Sequence, residues 1–213
     1  MLWEKLTMLE KEKFYRFKLI KKIAFSLQIL FIILATTNIS FANFQKNLLN
    51  KIAATKTLSF DFKQKIAENE ENGNCFIKYS LLMKCNYKNL KQKTVISNGK
   101  TVAIIKKKYK KIYYYPLFTT PLFTLLDKEK ILNLVRNSKP TKINSKIIQF
   151  EFISKKNDKI NKFKIFFDKN SLDLKGWETK DIYSNDVIFI IENVKINDTI
   201  NDEFFKIPKE EDL

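Results

Sequence analysis

Apolar and polar residues alternate along much of the chain, with the two-residue period of strands that bury one face. The clearest run is TLSFDFKQKIA, where Leu58, Phe60 and Phe62 share one side and polar residues the other. Runs around Ile77 and Cys85 repeat the pattern. Later runs lie within residues 94–105, 110–115, 148–152, 163–167 and 171–196. The pattern therefore predicts about five strands, a helical interruption and at least four more strands.

Two segments carry the longer period of amphipathic helices instead. One covers residues 44–56 near the start of the strand-rich region. The other is Asp127–Val135, where Asp127 has the position of an N-cap and an acidic first turn follows it.

Two stretches have the composition of turns. Glu68–Asn74 is charged and holds one of three glycines, and Asn98-Gly99 is the strongest short signal for a hairpin. With the strands and helices, these turns predict one α+β domain over residues 43–213, built on a strongly curved antiparallel sheet.

An uncharged stretch, Ile112–Leu126, interrupts a lysine-rich part of the sequence and reads IYYYPLFTTPLFTLL. Pro116 and Pro121 each remove a donor from a strand ladder, so we expect the segment to stay outside the sheet. A short helix can begin at Pro121 and run to Leu126. We predict a lid over the mouth of the curved sheet. The alternative is that the segment is ordinary core packing in a crossover. Both arrangements bury apolar area, which stabilises the fold by about 25 cal/mol per Å².

The N-terminus has the layout of a secretory signal peptide. Residues 1–22 hold seven basic side chains, and Ile23–Ala42 has no charge. Ser40 and Ala42 fit the small-residue cleavage positions, so Asn43 would begin the mature, exported chain. The alternative is an uncleaved membrane anchor, because about 20 apolar residues can span a bilayer. Cleavage is favoured because polar residues interrupt the second half of the stretch.

The composition excludes several classes of function. The net charge is +17, but arginine occurs only at Arg16 and Arg136, and the lysines are spread along the chain. A nucleic-acid surface would concentrate arginine. The chain has no histidine, so it lacks the commonest general base and metal ligand, and no glycine-rich phosphate loop is present. We therefore expect no catalysis, no metal, no cofactor and no nucleic-acid partner.

The two cysteines, Cys75 and Cys85, lie on the same faces of two consecutive predicted strands. If the hairpin is symmetric about residue 80, they are directly opposite each other, with Cβ atoms about 4.5–5.5 Å apart. An exported protein meets an oxidising compartment, so we predict a disulfide between them. The alternative is a pair of buried free thiols.

Six stretches of the chain form an ordered series of motifs: SFDFKQ at Ser59–Gln64, MKCNY at Met83–Tyr87, SNGK at Ser97–Lys100, Tyr113–Leu126, Phe166–Asp181, and DEFFKIP at Asp202–Pro208. The third is similar to an S-D-G-K turn, the fourth to a segment ending T-P-x-x-L-L, and the last to a terminal D…F-x-x-P. In this order, the chain from about Asn43 to Pro208 resembles the LolA family of periplasmic outer-membrane lipoprotein carrier proteins.

The resemblance implies an unclosed antiparallel β-barrel with a helical lid. It implies a monomeric periplasmic carrier that shields the acyl chains of lipoproteins in an apolar cavity and catalyses no reaction. Such a carrier takes its cargo from an inner-membrane ATP-driven release complex and passes it to an outer-membrane acceptor, here unknown. The alternative functions are a membrane-anchored envelope-assembly protein and a general lipid-binding protein of the same fold.

Apolar strand faces and the lid segment supply the candidate site residues. For the cavity they are Phe60, Phe62, Tyr87, Phe150 and Phe152. For the lid they are Tyr115, Leu117, Phe118, Leu122, Phe123, Leu125 and Leu126. Any one of the cavity residues can equally be plain core.

Lys84 takes the place of a family arginine. It keeps the positive charge but loses the planar, bidentate donor set. We expect either a contact between Lys84 and the lid or an ordinary solvated strand residue.

Overall fold

The computed structural model describes residues 16, 18–26, 28, 43–79, 81–88, 92–156, 159–181 and 184–213. The chain divides into two compact units, Met1–Asn47 and Leu48–Leu213. The described residues from 16 to 28 are helical and exposed. Ser40 and Ala42, at the predicted cleavage site, lie outside the described residues. No helix in the described part is both long and apolar enough to cross a membrane.

The second unit is built on one antiparallel sheet, with eleven strands among the described residues. They are β1 (Thr57–Ile66), β2 (Asn69–Lys78), β3 (Leu82–Tyr87), β4 (Lys93–Asn98), β5 (Thr101–Lys106), β6 (Lys111–Pro116), β7 (Lys142–Ile143), β8 (Ile147–Lys156), β9 (Lys159–Asp168), β10 (Leu174–Lys180) and β11 (Asp186–Ile196).

The strand order is β6-β5-β4-β3-β2-β1-β11-β10-β9-β8-β7. Each half is a meander of consecutive strands, and the two halves meet where β1 pairs with β11. The register shifts between Ser59 and Asp61 on β1, and between Leu174 and Gly176 on β10. Such bulges bend a sheet and increase its twist. Because β6 and β7 stand at opposite ends of the order, the sheet is not closed, as predicted.

Strand alternation gives the sheet two different faces. We call the face that carries Phe60, Phe62 and Cys75 the inner face, since all three are buried there. The opposite face, which carries Lys84 and Ile96, is the outer face. Cross-strand register places Tyr87 and Trp177 on the inner face with Phe62.

Three helices accompany the sheet. Helix α1 covers residues 43–54, α2 is Leu122–Leu126 and α3 is Lys128–Asn137. The side chain of Asp127 accepts hydrogen bonds from the backbone N–H groups of Glu129 and Lys130, which confirms the predicted N-cap. The apolar side of α3 is buried through Ile131, Leu132, Leu134 and Val135.

The C-terminal segment covers part of the outer face. A 3-10 helix at Asp202–Phe205 buries Phe205, and Ile207 and Leu213 pack against a cluster of Ile96, Ala103, Ile105 and Ile112. Residues 94–97 of β4 are consequently buried on both faces, which the alternating pattern does not anticipate.

The turn predicted at Glu68–Asn74 was wrong. Glu68–Asn74 belongs almost entirely to β2, and the turn is confined to residues 67–68. Glu70 pairs opposite Lys65, so cross-strand charge pairing favours a strand there.

The first part of the uncharged segment joins the sheet as β6, which confirms the strand predicted within residues 110–115 and corrects the expectation that the whole segment stays outside the sheet. Pro116 is tolerated because β6 is an edge strand, where one side of the backbone needs no ladder partner. The remainder, from Leu117 to Leu126, forms a 3-10 turn and α2.

Candidate functional site

A row of four aromatic rings crosses the inner face. Trp177 of β10 stacks on Phe189 of β11, with centroids 4.0 Å apart and an interplanar angle of 11°. Phe189 stacks on Phe62 of β1 at 4.5 Å, and Phe62 meets Tyr87 of β3 edge-on at 4.8 Å. The row gives the middle of the sheet a continuous apolar wall.

The row passes over β2 at a glycine. Gly73 pairs with Phe62 on one side and with Tyr87 on the other. Since Gly73 has no side chain, the ring of Phe62 lies over it and reaches Tyr87 directly. Gly73 therefore makes room for the aromatic row and does not form the turn predicted for Glu68–Asn74.

The five predicted cavity residues all lie on the inner face of the sheet. Phe60, Phe62 and Phe150 are at most 4% exposed, while Tyr87 and Phe152 are half-buried. They do not line the cleft described next. Their role in a cavity stays a prediction.

A narrow cleft lies between the helices and the inner face. Its apolar walls come from Ile52 of α1, Ile131 of α3, and Leu58 and Ile165 of the sheet. The remaining lining residues are Lys51, Thr55, Tyr79, Phe167, Leu172, Asp173, Leu174 and Ile196. The cleft has a volume of only ≈ 20 Å³, room for about one water molecule and far below the roughly 300–1,000 Å³ found for ligand pockets.

Polar groups stand at the rim of this cleft. The ammonium of Lys51 lies 2.6 Å from a carboxylate oxygen of Asp173 and donates to the carbonyl of Ser171 at 2.6 Å. Burial raises the pKa of the Tyr79 hydroxyl, so the hydroxyl stays neutral at ordinary pH. The cleft thus combines an apolar interior with one neutralised charge pair.

The lid segment is partly buried and partly exposed. Leu117, Leu125 and Leu126 are at most 1% exposed, whereas Phe118 is 67% exposed. Two further predicted lid residues, Leu122 and Phe123, are half-buried. Tyr115 lies in β6 and not in the helical part, so it extends the edge of the sheet.

The start of α3 is held near α1 by polar contacts of modest strength. Lys128 donates to the carbonyl of Ala53 at 3.2 Å in an exposed position. Its ammonium also lies 5.3 Å from the ring centroid of Tyr79. Exposed contacts of this kind contribute little to stability, so α3 is held mainly by its buried apolar side chains.

Lys84 lies on the outer face, away from the lid. Its neighbours Met83 and Cys85 point inward, so alternation along β3 turns Lys84 outward. The ammonium donates to the carbonyl of Phe204 at 3.3 Å and lies 4.3 Å from the Phe204 ring centroid. Burial and the neighbouring Lys107 lower the pKa of Lys84. A contact with the C-terminal segment therefore replaces the predicted lid contact.

Tyr87 ends the aromatic row in a polar cluster. Its hydroxyl donates to the side-chain oxygen of Gln64 at 2.6 Å. The ammonium of Lys93 lies 3.7 Å from the Tyr87 ring centroid and forms an ion pair with Glu71. Burial and the Glu71 carboxylate raise the pKa of Tyr87.

Cys75 and Cys85 lie directly opposite each other on β2 and β3 and are joined as a disulfide. Both are buried on the inner face. Within the described part of the chain, no group of three acidic or cysteine side chains has the arrangement of a metal site.

Sequence reasoning missed the cleft itself. Lys51 and Asp173 are far apart along the chain, and no local period connects them. The sequence held two signals for the cleft. Alternation places Tyr79 on the same face as Ile77, and Ile131 lies on the apolar side of α3.

Comparisons with known proteins agree with this architecture. A family model described as "Outer membrane lipoprotein carrier protein LolA" matches residues 53–208. A search of curated protein sequences gives no match.

Three solved structures are among those similar to this chain. One is an uncharacterized conserved protein from Thermus thermophilus, at TM-score 0.46 and 8% identity, covering 79% of this chain and 94% of that chain. Another is a LolA superfamily protein from Nitrosomonas europaea, at TM-score 0.40 and 8% identity, covering 76% and 97%. The third belongs to the Pseudomonas aeruginosa MucA/MucB complex, at TM-score 0.45 and 8% identity, covering 78% and 60%. Because the family model spans most of the second unit, the chain belongs to the outer membrane lipoprotein carrier protein (LolA) family.

Proposed function

We propose that the chain is a monomeric periplasmic carrier that holds the acyl chains of lipoproteins between α3 and the inner face of the sheet. One observation carries the proposal: α3 covers an apolar inner face, and a cleft separates Ile131 from Leu58 and Ile165. Membership of the LolA family suggests lipoprotein binding and a periplasmic location. The proposal assigns no catalysed reaction to the chain.

Cargo binding in this proposal requires α3 and the lid segment to move. The cleft is narrow, and the inner-face rings Phe62 and Phe150 are almost fully buried. An acyl chain gains about 0.8 kcal/mol per buried CH₂ group. Displacing α3 would replace helix-to-sheet contacts by lipid-to-sheet contacts of the same apolar kind. Entry and release then need only a modest difference in free energy.

The weakness of the polar contacts at the start of α3 supports this mechanism. The contacts of Lys128 with Ala53 and Tyr79 are exposed or long. The disulfide between Cys75 and Cys85 ties β2 to β3, which would keep the sheet intact while the helices move. In the proposed cycle, an inner-membrane ATP-driven complex loads the carrier, and an outer-membrane acceptor unloads it.

Mass spectrometry of the protein purified from the envelope without detergent tests lipid binding. We expect co-purifying acyl chains in the wild-type protein and far fewer in Ile131→Trp, which places a larger ring in the cleft. Asn133→Trp is the matched control, because Asn133 lies on the exposed side of α3. Absence of acyl chains from the wild-type protein would contradict the proposal.

A second experiment separates a carrier from a general lipid-binding protein or an anchored protein. The mature protein is added to spheroplasts, and released lipoproteins are measured in the soluble fraction. A carrier releases them, whereas a lipid-binding protein with another task carries acyl chains but releases none. An N-terminus that begins at Asn43 agrees with a soluble carrier, and an intact N-terminus favours the membrane-anchored alternative.

A further inference from the structure

The connection between β5 and β6 is a basic tip. We define the tip as Lys106–Lys111, with the sequence KKKYKK. A 3-10 turn covers Lys107–Tyr109, and Lys110 closes it in the left-handed region at φ 50°. Every side chain from 107 to 111 is exposed. The tip therefore holds five positive charges, four of them on exposed side chains, with no acidic residue among them.

Among the described residues, only one of these charges has a direct acidic partner. Lys111 is 3.8 Å from Glu210, and Lys106 lies 5.0 Å from the ring centroid of Tyr113. In the part of the chain that the structure describes, no ion pair involves Lys107, Lys108 or Lys110. Lys107 instead adds to the positive potential around Lys84.

Exposed aromatic side chains accompany the charges. Tyr109 stands within the tip and is 53% exposed. Tyr113, Tyr114 and Tyr115 continue along the edge strand β6 and are 44–55% exposed. Tyrosine beside lysine is the composition that protein surfaces use at the level of lipid headgroups, where a ring is half in water and half in the apolar layer.

We propose that the basic tip docks the protein onto an anionic phospholipid membrane. The lysines would meet lipid phosphates, and Tyr109 would lie at the headgroup level. Each lysine near an anionic membrane adds attraction that salt screens. The ordered phosphates and bases of nucleic acid favour arginine contacts, and the tip has no arginine. Its lysines and exposed tyrosine therefore favour a fluid lipid surface.

The position of the tip relates docking to the lid. β6 begins in the tip at Lys111 and ends at Pro116, directly before the 3-10 turn Leu117–Thr119 and α2. The tip has no residue in common with the cleft lining. Docking and acyl-chain binding can therefore be measured separately.

Vesicle flotation of the mature protein tests the proposal. The probes are vesicles of phosphatidylcholine alone and of an equimolar mixture with phosphatidylglycerol. We expect the protein to float with the anionic vesicles only, and to dissociate as salt is raised. The triple substitution Lys107→Gln, Lys108→Gln and Lys110→Gln should lower the partition coefficient on the order of a hundredfold, equivalent to about 3 kcal/mol at 1.4 kcal/mol per tenfold.

A matched control separates the tip from the net charge of the whole protein. Lys139→Gln, Lys142→Gln and Lys146→Gln remove the same charge from exposed positions next to β7, at the other end of the sheet order. This variant should keep most of the partition. An equal loss in both variants would overturn the proposal, as would absence of binding to anionic vesicles.

Two further outcomes decide between lipid and other partners. A Tyr109→Ser variant should retain salt-sensitive binding but show several-fold weaker partition, because the ring no longer enters the headgroup layer. A tip variant that loses binding to a DNA duplex while keeping vesicle binding would contradict membrane docking and indicate nucleic acid instead.

Discussion

The ring of Phe62 occupies the space that a side chain on Gly73 would need. A Cβ atom at Gly73 would lie 2.8 Å from Cζ of Phe62 and 2.0 Å from the backbone oxygen of Asn86. Real Cβ atoms do not approach other atoms this closely, so the aromatic row depends on the absence of a side chain at this one position of β2.

Replacing Gly73 by alanine should therefore destabilise the protein. The clash involves the backbone of β3 at Asn86, which cannot rotate away, so we expect a loss of about 3 kcal/mol in the free energy of unfolding, the upper part of the range for overpacking. Urea unfolding measures it. Asn72→Ala, an exposed neighbour on the same strand, should change stability by less than about 0.5 kcal/mol. Equal stability of the two variants would show that the row tolerates a side chain at 73.

The cysteine pair gives a second prediction. Thiol labelling of the unfolded, non-reduced protein should detect no free thiol, because Cys75 and Cys85 are joined. The double substitution Cys75→Ala and Cys85→Ala should lower the free energy of unfolding by about 2–3 kcal/mol, since the bridge closes a short loop. Cys75→Ala alone is the labelling control and should show one reactive thiol. Two reactive thiols in the wild-type protein would rule out the disulfide.

Alkaline pH should destabilise the fold through Tyr87. Burial and Glu71 raise the pKa of its hydroxyl, so the folded protein holds a proton that the unfolded chain releases above about pH 10. The contribution is complete below that pH and is lost as the pH rises further. Tyr79 acts in the same direction. Urea midpoints should therefore be unaffected by these tyrosines from about pH 8 to pH 9 and fall as the pH rises above about 10.

Tyr87→Phe isolates this contribution. It removes the hydrogen bond to Gln64 and should cost about 1 kcal/mol at neutral pH, while the alkaline decrease becomes shallower. Tyr114→Phe removes a hydroxyl from an exposed ring and should leave the decrease unchanged. An alkaline decrease of the same slope in Tyr87→Phe and wild type would assign the effect to other groups.

The lid segment gives a prediction about cargo uptake. Leu122 and Phe123 are half-buried, whereas Leu125 and Leu126 are fully buried. Replacing Leu122 and Phe123 by aspartate should leave the sheet folded, as judged by circular dichroism, but abolish the release of lipoproteins from spheroplasts. The physical reason is that two carboxylates at the lid oppose contact with acyl chains.

The matched control for the lid is Asn133→Asp with Asn137→Asp. It adds the same charge to exposed positions of α3 and should preserve release. Release by the Leu122/Phe123 variant at the wild-type level would refute the lid as a cargo contact.

Much of the architecture could be predicted from local patterns. The two-residue period identified the strands, and Asp127 marked the start of α3, because backbone geometry imposes both signals over a few residues. The prediction of a turn at Glu68–Asn74 was wrong because the composition of a segment does not reveal which residues it pairs with across the sheet. Pairing of Glu70 with Lys65 and the contact of Gly73 with Phe62 decide the structure there.

The candidate site was harder to predict than the fold. The cleft brings α1, α3 and both halves of the sheet together, so Lys51 and Asp173 meet across 122 positions of sequence. Of the two alternatives for Lys84, the family position suggested the lid contact, but Lys84 contacts Phe204 instead. Alternation along β3, which places Lys84 on the face opposite Cys85, was the better guide.

The pairing of β1 with β11 has a consequence for the order of folding. Lys63 and Glu192 form an ion pair across this junction, although they are 129 residues apart in sequence. Each meander can fold from neighbouring hairpins, but the junction must wait for the last strand, and pairings of such long range form slowly. Until then, β1 presents an open edge and Phe62 lacks its stacking partner Phe189. The inner face of the sheet is consequently complete only after β11, the final strand, has paired with β1.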